Sequence, residues 1–566
     1  MSRRPLLPLP ASLQRLSLSS RDERRYLPYV ALGCLALVLY IQPHQPSVQL
    51  DPAYFSWLSS SSSSSGSSTS ASNRPAAAPL PLNDFTSPSS LAALVLPRLS
   101  RLSAAPILSY SASLELESTR CPGTYLQSNR DQLAGEGEEY WPTVGTEELR
   151  EARERVVERV TERFGLREES GGLEDALVEG LMGTKGRGLV FTAGNKDTMR
   201  RLLTSLRILR KHHDCHLPAE IFGFPSELQA LGKTKEDIDA LGGITWREIK
   251  TSKVEGAWKQ FQIKGEAIAR SSFREVLYLD SDNIALRDPT FLFDSPAYRE
   301  HGIVLWPDFN RDSAANPVWR LLDTPCDPAH MQAETGQLLV NKRARGGLNL
   351  VALEVARAMQ EDSRFWFHLS GGDKDTFRYA FYFLSLPFTL APHYPSALGG
   401  PLASPSSGHT FCGHTMLQYG LSAGEWDPLR AAGAVDPSYI PPGDHAPPLF
   451  AHANVLKHSG YSNRRGTTFR ALKKATEDRL FPPPPLFRAR SHAPLAEIRQ
   501  TGFTARKGMC VDVWDVREAG EGAEGADEGA YERGEVEVVK WEEAWGGVAR
   551  GLEEMYYDEG GIGGGW

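Results

Sequence analysis

Ser271–Asn283 reads SSFREVLYLDSDN. Within it an apolar run, Glu275–Leu279 (EVLYL), ends directly in Asp280-Ser281-Asp282. Aromatic and branched residues backed by turn formers predict a short strand, buried on both faces and closed by a turn. Working outward, Gly188–Ala193 (GLVFTA) predicts a second such strand, followed by Gly194-Asn195. The next stretch places Met199, Leu202, Leu203, Leu206 and Leu209 at helical spacing behind Asp197 as the expected cap. Pro218–Phe224 (PAEIFGF) and Ile244–Ile249 read as further strands, and Ala257–Arg270 as a helix. Strand and helix in alternation predict a doubly wound α/β sheet, whose ligands gather at the carboxyl ends of the strands.

That rule separates three Asp-x-Asp pairs. Asp237-Ile-Asp239 lies in a polar helical pattern and reads as solvated surface. Asp280-Ser-Asp282 follows a buried strand, where two carboxylates can face a cleft and hold a hard divalent ion with positions left open for phosphate oxygens. Asp373-Lys-Asp375 follows Gly371-Gly372 and precedes an aromatic helix (Phe377, Phe381), a place that suits both helix capping and substrate contact.

Composition bounds what the chain can do. The 566 residues carry a net charge of −8, which argues against a broadly basic nucleic-acid-binding surface. No G-x-G-x-x-G opens a helix and no P-loop is present. The charge-laced Arg153–Arg163 reads as an exposed amphipathic helix. None of the six cysteines forms C-x-x-C; Cys34 sits in an apolar stretch, and the other five leave at least one thiol unpaired within the chain.

The ends differ from the middle. Arginines crowd residues 1–26, and Leu27–Ile41 (LPYVALGCLALVLYI) is uncharged and mostly apolar. As a helix it spans roughly 22 Å, short for an average bilayer but tolerable in a thin one. Arginines on its amino side predict a cytosolic tail (1–26) and a signal anchor (27–41), with a cleaved signal or a buried helix as alternatives. Ser-, Pro- and Ala-rich residues 42–105 read as a flexible stem. The catalytic domain is expected at 106–480. Residues 481–566 form an extension in which Val511–Val516 and Val536–Trp541 are candidate strands, and Gly520–Gly529 and Gly560–Gly565 are expected to be loosely ordered.

Several ordered blocks carry a family resemblance: QFQIK (Gln260–Lys264), Ser271–Asn283, WPDF (Trp306–Phe309), ETGQLLV (Glu334–Val340), GGDKDTFRYAF (Gly371–Phe381) and LFAHANVLKH (Leu449–His458). Residues of about 186–460 resemble the fungal Golgi α-1,3-mannosyltransferases, with Glu334-Thr335-Gly336-Gln337 where that family has Glu-Ser-Gly-Gln. The resemblance implies a GT-A fold, a mixed sheet flanked by helices. It further implies Mn²⁺ held by Asp280, Asp282 and His452, and GDP-mannose as donor. Lys457 would sit at the diphosphate, and Lys264 and Gly194 near the nucleotide. Asp373, Asp375 and Glu334 are the candidate catalytic carboxylates facing the transferred sugar. Gln337, Trp306 and Asp308 are candidate substrate contacts, the last two on the acceptor side. The expected activity is retaining transfer of mannose to a mannosylated glycan or glycoprotein by a type II Golgi membrane protein. A UDP-hexose transferase and a non-catalytic glycan-binding protein are the rival readings.

Overall fold

The computed structural model describes residues 87–121, 136–166, 183–254, 260–327, 331–401, 411–441, 443–458, 465–475, 487–492, 509–515 and 536–563. The expected tail and anchor (1–41) lie outside these residues, as does the expected stem up to 86. Among the described residues no helix is long and apolar enough to cross a membrane.

The expected stem boundary at 105 is corrected. Residues 88–104 form helix α1 (Pro88–Ala104), whose N-cap Ser87 accepts the Ser90 amide. Leu91, Val95, Leu99 and Leu102 are fully or almost fully buried and belong to the same core as sheet residues Val190, Val276 and Tyr278. The Ser/Pro/Ala composition conceals this apolar stripe, which recurs every three to four residues. Helix α2 (Tyr110–Arg120) follows, then α3 (Thr146–Arg163). On α3, Arg153 is buried rather than exposed. Its guanidinium donates to the carbonyls of Leu102 (2.8 Å), Ala105 (2.6 Å) and Leu321 (2.9 Å), capping the end of α1. A disulfide, Cys121–Cys326, ties this layer down, and Cys215 is a buried free thiol.

The central sheet contains β1 (Arg187–Thr192), β2 (Ala219–Gly223), β3 (Ile244–Glu248), β4 (Glu275–Leu279), β6 (Ile303–Arg311), β7 (Met331–Asn341) and β8 (Thr389–Leu390), in the order β3-β2-β1-β4-β7-β6-β8. The first four are parallel, while β7 runs antiparallel to both β4 and β6. This is the mixed α/β sheet expected, with every residue of β4 buried. Helix α4 (Lys196–Lys211) follows β1, but its cap is Asn195, whose Oδ1 accepts the Thr198 amide at 2.9 Å. Asp197 instead pairs with Arg201. Helix α5 is shorter than expected, Ile263–Arg270, and α6 (Leu348–Glu361) and α7 (Lys374–Phe383) cover the same side.

A second sheet is built on the first. In it β5 (Asn283–Ala285) pairs with β11 (Pro448–His452), and β11 with β10 (Phe411–Tyr419). Its path runs β13 (Phe487–His492), β14 (Met509–Asp515), β10, β9 (Ser396–Pro401), β12 (Ala471–Ala475), β15 (Val536–Lys540). The expected domain end at 480 is therefore also corrected. Trp541, Trp545 and, on helix α8 (Leu552–Asp558), Leu552 and Tyr556 share a core with Ile284, Leu417 and Ala451. Gly560–Gly563 is held as well: Tyr556 Oη donates to the Ile562 carbonyl at 2.9 Å. Gly520–Gly529 lies outside the described residues.

Candidate metal and nucleotide-sugar centre

The turn behind β4 is set by the backbone. Asp280 N–H donates to the Gly336 carbonyl (2.8 Å) and Asn283 N–H to the Asp280 carbonyl (3.0 Å). Asn283 Nδ2 then donates to the Gly336 carbonyl (2.7 Å) and to Gln337 Oε1 (2.6 Å). Gln337 is thus a buried prop of the turn. Because β5 lies against β11 with Asn283 opposite His452, this pairing carries the imidazole to the two carboxylates. His452 Nε2 lies 3.3 Å from Asp282 Oδ1 and 3.7 Å from Asp280 Oδ2. One ligand atom from each of the three residues falls within 4.8 Å of the others. Two carboxylates and an imidazole suit Mn²⁺ or another borderline divalent ion.

The other face of His452 supports that use. Nδ1 lies 3.1 Å from Glu334 Oε1, which also accepts the Gly336 amide at 2.7 Å. A carboxylate at one ring nitrogen orients the ring and leaves the other for a metal. Gly336 is required by the approach of the ring, since a Cβ there would lie 2.3 Å from His452 Nδ1. Burial disfavours charge throughout the cluster, yet Glu334 and Asp282 lift His452 to about 10, and His452 and Lys264 bring Glu334 down to about 2. Burial likewise opposes the charge on Asp282, but Lys457 and His452 hold it well below the usual carboxylate range.

Lys264, on the first turn of α5, ties the metal cluster to the second acidic pair. Its ammonium lies 3.3 Å from Asp280 Oδ2 and 3.0 Å from Asp373 Oδ2, and donates to the Thr335 carbonyl at 3.0 Å. Burial works against this cation, but Asp280 and Asp373 together raise it above an ordinary lysine. Tyr278 Oη donates to Asp280 Oδ1 at 2.7 Å. Lys457 pairs with Asp282, so it stands on a candidate metal ligand rather than free in a cleft.

Of the two carboxylates at the start of α7, only Asp373 joins this cluster. It occupies the N-cap position without capping, its side chain turned to Lys264. Asp375 is engaged in a buried network of its own. Its Oδ1 accepts the Ala333 amide (2.9 Å) and Arg378 Nε (2.9 Å), and Arg378 makes a two-pronged pair with Asp312. Lys374, between the two aspartates, donates to Asp308 Oδ2 and to Gln332 Oε1, both at 2.6 Å. Trp306 is core: it is fully buried, its indole donates to the Tyr419 carbonyl at 2.9 Å, and it stacks edge-on with Phe450. Gly194 ends β1 beneath Glu227, whose Oε2 would lie 1.9 Å from an added Cβ. Asp237 and Asp239 pair with Lys233 and Lys235 on the surface, as expected.

The structure therefore gathers Asp280, Asp282, His452, Glu334, Lys264, Asp373 and Lys457 into one buried polar cluster. Sequence reading overlooked Lys374 and Gln332. The signals were present: a lysine between two aspartates, and a glutamine two residues before Glu334, hence on the same strand face.

Residues 186–324 and 320–420 match a family model described as "Mannosyltransferase putative". This stretch is similar to that family. The α-1,2-mannosyltransferase MNN24 of Candida albicans is 27% identical over 292 residues, 43% of this chain and 38% of that protein. MNN22 of the same organism, also an α-1,2-mannosyltransferase, is 42% identical over 86 residues, 15% of this chain and 14% of that protein. The α-1,2-mannosyltransferase MNN5 of Saccharomyces cerevisiae strain S288c is 32% identical over 85 residues, 15% of this chain and 12% of that one. The chain thus matches well under half of the length of these curated relatives. They are named for an α-1,2 linkage, so the α-1,3 linkage implied by the initial resemblance is not supported. Among solved structures, the bifunctional glycosyltransferase WbbM aligns over 37% of this chain and 39% of that one, with 14% identity and a TM-score of 0.27. The galactosyltransferase LgtC aligns over 34% and 70%, with 15% identity and a TM-score of 0.24.

Proposed function

We propose that this chain is a retaining α-mannosyltransferase that moves mannose from GDP-mannose to a mannose-terminated glycan, with Mn²⁺ at Asp280, Asp282 and His452. The observation that carries the reading is the Asp280–Asp282–His452 group behind β4, largely buried, whose two aspartates lie in a segment that matches the mannosyltransferase family model. An α-1,2 linkage is favoured because the curated relatives carry that name. When bound, the divalent ion stabilises the charge that develops on the departing diphosphate. Lys457, already on Asp282, adds a second positive charge on that side. Lys264 holds Asp373 within 3.0 Å and so fixes a carboxylate beside the cluster. Retention follows either from attack by this carboxylate and then by the acceptor, or from front-face attack with the leaving diphosphate taking the acceptor proton. A Golgi membrane location with a lumenal catalytic domain is part of the proposal, resting on the arginine-flanked apolar stretch Leu27–Ile41.

The test is sugar transfer by the purified chain with GDP-mannose and the common UDP-sugars in parallel, an α-mannoside acceptor, and Mn²⁺ or EDTA. Manganese-dependent use of GDP-mannose alone is expected, with product analysis showing an α-1,2 linkage. Turnover of a UDP-hexose instead would overturn the donor assignment. Nucleotide binding without turnover of any donor would overturn the enzymatic reading.

A further inference from the structure

Beside the metal cluster lies a second polar group that the proposed activity leaves unused. Lys374 Nζ is shared between Asp308 Oδ2 and Gln332 Oε1, both at 2.6 Å, and lies 3.4 Å from Asp375 Oδ2. A lysine ammonium only donates, so the oxygen end of the Gln332 amide must face it and the NH₂ end must point elsewhere. Gln332 is fully buried, yet that NH₂ has no partner among the described residues. A buried donor left unpaired costs about as much as a lost hydrogen bond, so the position calls for an acceptor that the described residues do not supply.

The position indicates which acceptor. Gln332 and Glu334 lie on the same face of β7, about 7 Å apart along the strand. Glu334 touches His452, so Gln332 stands one step farther from the metal than Glu334 does. Asp308 is brought alongside by the pairing of β6 with β7, in which Trp306 and Pro307 face Glu334 and Ala333. The group thus offers buried carboxylate acceptors at Asp308 and Glu334 and a free amide donor at Gln332. A sugar hydroxyl both donates and accepts, and neighbouring hydroxyls on one ring match such an alternation.

We propose that Gln332, with Asp308 and the Lys374 that orients both, is the hydroxyl-recognition subsite for the transferred hexose and determines which donor sugar is accepted. The inference rests on the nucleotide-sugar reading above and specifies its sugar end. Gln332 donates to a ring hydroxyl oxygen, and the Asp308 carboxylate accepts from a hydroxyl of the same ring. Lys374 is a positioning residue.

The experiment compares binding of GDP and of GDP-mannose, in Mn²⁺, to the wild-type chain and to Gln332→Leu and Gln332→Glu. GDP affinity is expected to stay within about twofold, reporting an intact metal and nucleotide site. The affinity for GDP-mannose relative to GDP should fall about tenfold in Gln332→Leu, the scale of one hydrogen bond. Equal loss of GDP and GDP-mannose, or no loss of either, would overturn the subsite. Monodeoxy analogues of GDP-mannose supply a test without any variant. At least one should bind the wild-type chain about tenfold more weakly, and a uniform series would overturn the proposal even if both variants failed to fold. If the wild-type chain bound a UDP-hexose in place of GDP-mannose, only the donor assignment would fall, and the same ratio would be read with UDP and that sugar. Absence of any nucleotide-sugar binding would remove both readings.

Discussion

Glu334 and Asp282 hold the two nitrogens of one imidazole: Nδ1 of His452 lies 3.1 Å from Glu334 Oε1, and Nε2 lies 3.3 Å from Asp282 Oδ1. The first contact sets the ring so that the second nitrogen can serve a metal. Glu334→Gln keeps the size of the side chain and removes its charge. Such outer partners typically contribute 10–100-fold to metal affinity. Mn²⁺ binding, followed by the loss of the free-ion electron paramagnetic resonance signal, is expected to weaken by about that factor. Unchanged affinity would show that the charge of Glu334 does not tune the site.

The candidate metal group was legible in part, because its two aspartates sit directly behind a buried strand, where an α/β sheet presents ligands. His452 was legible only through its block, LFAHANVLKH, since no local pattern shows that β11 will pair with the three residues after Asp282. Asp373 and Asp375 look alike in the sequence; that one meets Lys264 and the other Arg378 follows from where Lys264, Arg378 and Asp312 stand in the fold. The helix at 88–104 was hidden by composition: the eye averages over its serines and prolines, while packing selects Leu91, Val95, Leu99 and Leu102. Beyond 480 the two candidate strands, Val511–Val516 and Val536–Trp541, are seen at Met509–Asp515 and Val536–Lys540, but their place in the second sheet was not legible because their partners lie far back in the chain.

The pair between Arg378 and Asp312 holds α7 in place, and with it Lys374 and Asp373. Both side chains are buried, and Arg378 also meets Asp375 at 2.8 Å. Removing one partner of a buried ion pair typically costs about 3–5 kcal/mol, and Asp375, still on Arg378, places the loss toward the lower end. Asp312→Ala should lower unfolding stability in urea by an amount in that range. A change below about 1 kcal/mol would mean that solvent reaches the guanidinium.

Lys342 gives stability a pH dependence of known sign. Its ammonium is wholly buried and donates to the Ser271 carbonyl at 2.6 Å, with no carboxylate in contact among the described residues, and burial brings it down to about 7 from 10.5. Between those values the unfolded chain holds the proton and the folded chain does not. The contribution of Lys342 therefore becomes more favourable as pH rises from about 7 to 10.5, by at most about 1.4 kcal/mol per unit. Lys342→Met lacks this slope. The stability of the wild-type chain relative to the variant, measured in urea at pH 7, 8 and 9, should improve at each step. A flat difference would mean that the lysine keeps its proton when buried.

Glu553 makes the C-terminal helix part of the site's support. It lies on α8 and is almost fully buried, and its Oε1 accepts three successive amides, those of Gly466 (2.9 Å), Thr467 (3.0 Å) and Thr468 (2.8 Å). The Thr468 carbonyl meets His414 Nε2 at 2.8 Å, and the His414 carbonyl accepts the Val455 amide at 3.1 Å. Val455 stands two residues before Lys457, so hydrogen bonds run from the C-terminal helix to the strand end that carries His452 and Lys457. Glu553→Ala would strand three amide donors, of which that of Thr468 is buried, a loss of about 1–3 kcal/mol if that one stays unpaired. Glu553→Gln retains a carbonyl oxygen and should recover most of that loss. Urea unfolding reads the stability, and the donor KM reads the effect on Lys457, which should rise in Glu553→Ala and return toward the wild-type value in Glu553→Gln. A stability loss with unchanged KM would confine Glu553 to the fold. Both effects together would make the C-terminal helix a working part of the donor site.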